Sequence, residues 1–353
     1  MTSSEIALNV AEKCLAQSSA VRSTLVGARQ SESIQIKELP LRVELGRLSG
    51  TLGRLALEGH LYASIYNLGV VVLAWESNLP SETAWGTVAE ALGCAVELPR
   101  RLAGGFELAI DNLEHVLRPA IAQPARASIV EDYCVLFVER LSVGTDVASL
   151  AQRPVVWGAA LGEHRPLSPL AARLVTSMSY YPDDLALLSW NGAILVDPDP
   201  RASETAADLI EFAQVELLVL RNYDAALDAE LPSMYRRIAR SERRLALPFS
   251  EGDRRLLHDV QRLVAEVTQI TERVDNALKV TDDVYWNRLY SAALAVSRVD
   301  VWRAGVEHKL GLLRQTYDML RAEADAARGM ILELAIFLLM LLEVTLALVP
   351  RPA

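Results

Sequence analysis

The chain has 353 residues, of which 51% are hydrophobic, and 35 Lys and Arg stand against 45 Asp and Glu for a net charge of −10. That length allows one large or two ordinary domains, and the apolar fraction supports a buried core, so a disordered chain is excluded. The acid excess argues against broad wrapping of nucleic acid and against DNA as a partner, leaving only a local basic patch to meet phosphates. Cys14, Cys94 and Cys134 are odd in number and far apart. They give neither a disulfide framework nor a CxxC metal knuckle, and a reducing compartment is the default.

In chain order, residues 5–30 read as helical, and Glu5 and Glu12 fit neither a secretory signal nor an acid-poor transit peptide, so the expectation is a chain that begins in the cytoplasm. Residues 34–48 alternate like a strand broken at Pro40. Gly50, Gly53 and Gly59 lack the GxGxxG spacing of a dinucleotide site and read as turn and packing glycines. The β-branched run from Ile65 to Trp75 reads as a buried strand, followed by a helix that starts at Ser81. Residues 106–110, 128–140 and 154–161 read as further strands, and 169–178 as a helix. In LALLSWNGAILVDPDP, Asn191-Gly192 lies between two apolar runs as a two-residue type I′ hairpin turn would. The Asp197-Pro198-Asp199-Pro200 run then closes an N-terminal mixed α/β domain, residues 1–200.

Beyond Arg201 the pattern is helical. One helix runs from Ser203 or Thr205 to Asp228, and a second opens at Leu231-Pro232. Leu256, Val260, Leu263, Val267, Ile270, Val274 and Ala277 alternate steps of four and three, a coiled-coil seam. Thr281-Asp282-Asp283 caps a shorter helix, and a second seam runs from Val299 through Val306, Leu310 and Leu313 to Ala327. The expectation is an all-α coiled-coil stalk over 201–328 that makes the chain a homo-oligomer.

Residues 330–349, MILELAIFLLMLLEVTLALV, are interrupted only by Glu333, Glu343 and Thr345. As a helix they span about 30 Å, the thickness of a bilayer's hydrocarbon core. The summed apolar contribution of roughly −6 kcal/mol exceeds the cost of about +2.5 or more for a central carboxylate, so insertion is expected. Arg314, Arg321 and Arg328 precede the segment and only Arg351 follows it. The positive-inside bias then makes residues 329–353 a tail anchor, with a single pass through a bacterial inner membrane and the N-terminus in the cytoplasm. The expected fold class is therefore α+β: the mixed domain, the stalk and one C-terminal transmembrane helix. The alternative is a hairpin helix buried in a water-soluble oligomer.

The ITERVDNAL stretch (Ile270 to Leu278), an aspartate closely followed by Tyr285-Trp286, then Leu289-Tyr290, Lys309-Leu310 and Tyr317, are followed by Arg328 and a terminal apolar helix with two glutamates. In this order they resemble the C-terminal half of the family called "required for meiotic nuclear division", over about residues 200–349. Upstream, YNLGVVVLAW is similar to that family's strand, with Asn67-Leu68 ahead of Gly69 where a shorter spacing is usual. The resemblance implies a scaffold or tether. Eukaryotic relatives sit in the mitochondrial inner membrane and support translation by tethering ribosomes; bacterial ones carry no assigned activity, and no catalytic residue is transferred.

The five histidines are scattered, and no GxxxxGK[ST], HExxH or GxSxG occurs. No catalytic, cofactor or metal residue is therefore nominated. The candidates are of another kind. Glu333 and Glu343 are intramembrane carboxyls if the tail inserts, functional or register-fixing. Arg236, Arg237, Arg240, Arg243 and Arg244 crowd into nine residues; they read as a contact for anionic lipid or ribosomal RNA, or as a solvated face. The competing functions are an ion-conducting assembly, with a layout like that of CorA-type channels but lacking their GMN signature and second span, and an enzyme in the α/β domain.

Overall fold

The computed structural model describes residues 6–15, 21–22, 34–36, 39–95, 103–121, 129–142, 144–163, 165–241, 258, 261–262, 264–265, 267–268, 272, 278–280 and 284–348. The chain divides into two compact units, one of Met1–Asn222 with Ile270–Arg303 and the other of Tyr223–Gln269 with Ala304–Ala353.

The first unit contains two four-stranded sheets. In the first, β1 (Val21–Arg22), β3 (Leu41–Leu52), β4 (Leu55–Ile65) and β5 (Val71–Ser77) lie side by side in that order, every pair antiparallel. The strand predicted around Pro40 is two: β2 (Ile34–Ile36) ends before the proline, and β3 begins after it. The single run predicted from Ile65 to Trp75 is likewise split by a tight turn, which Gly69 permits at φ 78°. Side chains alternate across the sheet. Leu41, Val43, Ala63 and Ile65 point to a core completed by α1 (Leu8–Cys14) and α3 (Ala103–Leu117), with Leu113 and Leu117 buried there. Residues 106–110 are thus helical rather than extended. Phe106, Ile110, Leu113 and Leu117 recur at helical spacing, a longer-range period than their local apolar run suggested.

The second sheet has the order β6 (Cys134–Val138), β9 (Gly192–Val196), β8 (Leu185–Leu188), β7 (Thr176–Met178), with β6 parallel to β9 and the other pairs antiparallel. Both of its faces are covered, which is why LALL and GAILV read as unbroken apolar runs. Leu185, Leu187, Ile194 and Val196 meet α2 (Trp85–Ala95), α4 (Val147–Ala151) and α5 (Pro154–Leu161). Ala186, Leu188, Ala193 and Leu195 meet Ala206, Leu209, Ile210 and Ala213 of α6 (Pro200–Ser241) and Leu289 and Ala293 of α7 (Val284–Val296). Residues 154–161 form a helix where a strand was expected, with Pro154 at its first turn and Gly162 closing it at φ 69°. Residues 169–178 form a 3-10 turn over Pro169–Leu174 and then β7. The hairpin is present, with Leu188 opposite Ala193 and the Ser189 amide donating to Gly192 O at 2.9 Å, so its two-residue loop is Trp190-Asn191. The turn is not type I′: the only non-glycine residues with positive φ among those described are Glu82 and Arg298. A two-stranded antiparallel pair joins β2 to β10 (Leu278–Val280).

In the second unit, α6 continues past Asp228 to Ser241 with Pro232 inside it, rather than breaking at Leu231. The helix α8 (Val299–Leu348) is continuous over 50 residues, as its sequence pattern predicts. Seam residues Val306, Leu310 and Leu313 are buried, as is Val267 of the first seam; the other residues of that first seam lie outside the described ones. Lys309 bridges Asp224 and Asp228 at 2.7 and 2.6 Å.

The expected C-terminal transmembrane helix is corrected by the structure, and the tail-anchored, single-pass placement in an inner membrane falls with it. Among the described residues no helix is long and apolar enough to cross a membrane. The physical reason lies in the two glutamates. The uninterrupted apolar run between them, Leu334–Leu342, has nine residues, about 14 Å as a helix against the roughly 30 Å of a hydrocarbon core. Adding apolar contributions across both carboxylates overstated the length of hydrocarbon the helix can match.

Candidate functional site

The alternation that points Leu41 and Val43 into one core points Arg42 and Glu44 to the opposite face of the first sheet, together with His60, Tyr62 and Ser64 of β4 and Glu76 of β5. Helix α6 supplies the complementary groups. Asp208 and Glu211 stand three residues apart, on one helical face. The Tyr66 hydroxyl, just beyond β4, donates to Glu211 Oε1 at 2.7 Å, and Ser64 also hydrogen-bonds that carboxyl. Arg42 is ion-paired with Glu76, lies 4.7 Å over the Tyr62 ring, and interacts electrostatically with Glu211 and Asp208. Three carboxylates therefore share one guanidinium.

Burial is the largest influence on these groups. It pushes Asp208 up to about 7, with the neighbouring Glu211 charge adding to the rise and Arg42 opposing it. It raises Glu211 as well, against the hydroxyl donors Tyr66 and Ser64. Tyr66 is held well above its ordinary range by burial and then by Glu211. The cluster can thus hold a proton near neutral pH, the property a general acid or base needs. No group of three or more His, Cys, Asp or Glu among the described residues is arranged to hold a metal ion.

Two turns further along α6 a second polar knot forms in the same unit. Tyr290 of α7 donates to Glu216 Oε2 at 2.8 Å, and Arg303 approaches Oε1 at 3.4 Å. Phe212 lies between Tyr66 and Tyr290, with ring centroids 6.1 and 6.2 Å away. Arg221 pairs with Glu131 and stacks 5.4 Å from the Trp302 ring. Tyr290 entered the sequence reading only through the family resemblance and Tyr66 only within an apolar run; Arg42, Asp208, Glu211, Glu216 and Arg303 were not singled out. The signal available was the recurrence of Asp208, Glu211 and Glu216 among the apolar residues of a helix that covers a buried sheet.

The candidates named from sequence lie elsewhere. Glu333 and Glu343 are exposed on the last third of α8, surrounded by large apolar side chains that are also exposed, from Met330 through Phe337 to Val344. Arg236, Arg237 and Arg240 fall within α6, their side chains outside what is described; Arg243 and Arg244 lie outside the described residues altogether.

The family described as "Uncharacterized protein MJ0711, N-terminal domain" matches residues 1–203, more than half of the chain. The uncharacterized protein MJ0711 of Methanocaldococcus jannaschii is 27% identical over 175 residues, covering 50% of this chain and 52% of that protein. The chain thus spans about half the length of that relative. No solved structure matches.

Proposed function

The chain belongs to the family of the uncharacterized protein MJ0711, N-terminal domain, and on that premise we propose that it is a non-catalytic scaffold or tether that self-associates through its helical second unit. The finer likeness to the "required for meiotic nuclear division" family, drawn from residues 200–349, points the same way, since eukaryotic members of that family tether ribosomes. The observation that carries it is the end of α8. Twelve large apolar side chains between Met330 and Val344 are each 47% or more exposed, where a water-soluble monomer rarely leaves more than a few hundred Å² of contiguous apolar surface open. At roughly 100 Å² per side chain this amounts to on the order of 1,200 Å², beyond the ~800 Å² per partner of a standard interface. A second copy brings the same helix end and can cover it symmetrically. The arginines 236 to 244 then serve as the contact for a phosphate-bearing partner such as ribosomal RNA.

Sedimentation velocity of the full chain, compared with a chain ending at Arg328, tests the reading. The full chain is expected to sediment as a multimer and the shortened one as a monomer. A full chain that stays monomeric at tens of micromolar would contradict it.

A further inference from the structure

Arg42, Glu76, Asp208 and Glu211 form a cluster with two more negative charges than positive ones when every group is ionised, and Arg42 is already committed to Glu76. The cluster sits where the polar face of the first sheet meets α6. We propose that it is a proton-operated latch: one proton held on the Asp208–Glu211 pair keeps α6 against the β3–β4–β5 face, and its release loosens that contact.

Among the described residues, the groups that act on the pair are Arg42 from β3, Ser64 from β4 with Tyr66 beyond it, Glu76 from β5, and Glu204 from α6 itself; Glu44 and Tyr62 lie on the same sheet face beside Arg42 and Glu76. Tyr66 and Ser64 hydroxyls are already engaged by Glu211. Glu204 and Glu76 add further negative charge toward Asp208. A second ionised carboxylate therefore faces repulsion, with Arg42 the cation beside it. His60, whose Nδ1 lies 2.7 Å from Glu44 Oε1, is an imidazole on the same face, and its replacement separates its influence from that of the pair.

The direction follows from linkage. The folded Asp208 keeps its proton up to about pH 7, whereas an exposed aspartate loses it near 4. Between those values the closed form binds more protons than the opened one, so closure weakens as pH rises from about 4 to about 7 and levels off above. The opening constant rises by up to about tenfold per pH unit in that window.

Hydrogen exchange of residues 41–77, corrected for the intrinsic pH dependence and referenced to residues 185–196 of the second sheet, reads this directly in the full chain. Between pH 5.5 and 7.5 the wild type is expected to open at least tenfold more, and Asp208→Asn less than threefold. Should Asp208→Asn fail to fold, Glu211→Gln, which removes the neighbouring charge and leaves Asp208 buried, should move the response to lower pH, and Arg42→Gln should extend it to higher pH. A wild-type response below threefold, an unchanged response in the variants, or its disappearance in His60→Gln would overturn the latch.

Discussion

The Tyr66 hydroxyl reaches across 145 positions of chain to donate to Glu211 Oε1 at 2.7 Å. It joins the polar face of an antiparallel sheet to a helix that begins after the second sheet is complete. A bond of this kind is formed only when both layers are in place, so it reports on the packing of the first unit as a whole. Replacing Tyr66 by Phe leaves a buried carboxyl with one donor fewer and should cost about 1–3 kcal/mol. Glu211→Gln keeps an acceptor for the phenol and removes a charge, and should cost less. Urea midpoints for the two variants check the order; an equal or reversed cost would show that the phenol is not the carboxyl's main support.

Gly59 sits in β4 where the side chain of Trp75 crosses the strand. A Cβ there would overlap the Glu76 carbonyl oxygen and lie 2.6 Å from Trp75 Nε1, which donates to Leu48 O at 2.9 Å. Gly59→Ala should therefore displace the indole and destabilise the first sheet by about 1–3 kcal/mol. A lowered melting temperature with a shifted tryptophan emission is the expected result.

Much of this architecture was legible. The hairpin, though not the position of its loop, and the 50-residue helix follow from local turn chemistry and apolar spacing, which act over a few residues. Residues 106–110 and 154–161 were misread as strands because a five- to eight-residue apolar run has no period of its own; only Leu113 and Leu117, or the Pro154 and Gly162 bracket, show the helix. The acid cluster was not legible for a different reason. Arg42, Tyr66 and Glu211 are brought together by the sheet's alternation and by α6 crossing it, and neither leaves a mark in the spacing of any one segment. The tail was misjudged because its total hydrophobicity was weighed without the nine-residue limit set by Glu333 and Glu343.

Cys134 lies at the start of β6, its thiol pushed up to about 11 by burial. At pH 8 the thiolate, the reactive form, is then about a thousandth of the population. Labelling with a thiol reagent should leave Cys134 unmodified in the folded chain and modify it promptly in urea, as peptide mass spectrometry of residues 129–140 would show. Rapid labelling under native conditions would mean that the β6 end of the sheet opens readily.

In the second unit, Lys309 neutralises both Asp224 and Asp228. Lys309→Met leaves two carboxylates together and should destabilise that unit by about 1–2 kcal/mol. Asp228→Asn, which removes the more exposed partner at 59%, should cost under about 1 kcal/mol. Thermal unfolding of the two variants separates these magnitudes.

The decisive measurement for self-association is co-expression of two differently tagged copies followed by purification through one tag. The untagged-for-purpose copy should be recovered in comparable amount from the wild type, and lost when Leu334, Leu338 and Leu341 are replaced together by Lys. Recovery of a single tag from the wild type, with the chain folded, would contradict assembly through the end of α8 and with it the proposed scaffold.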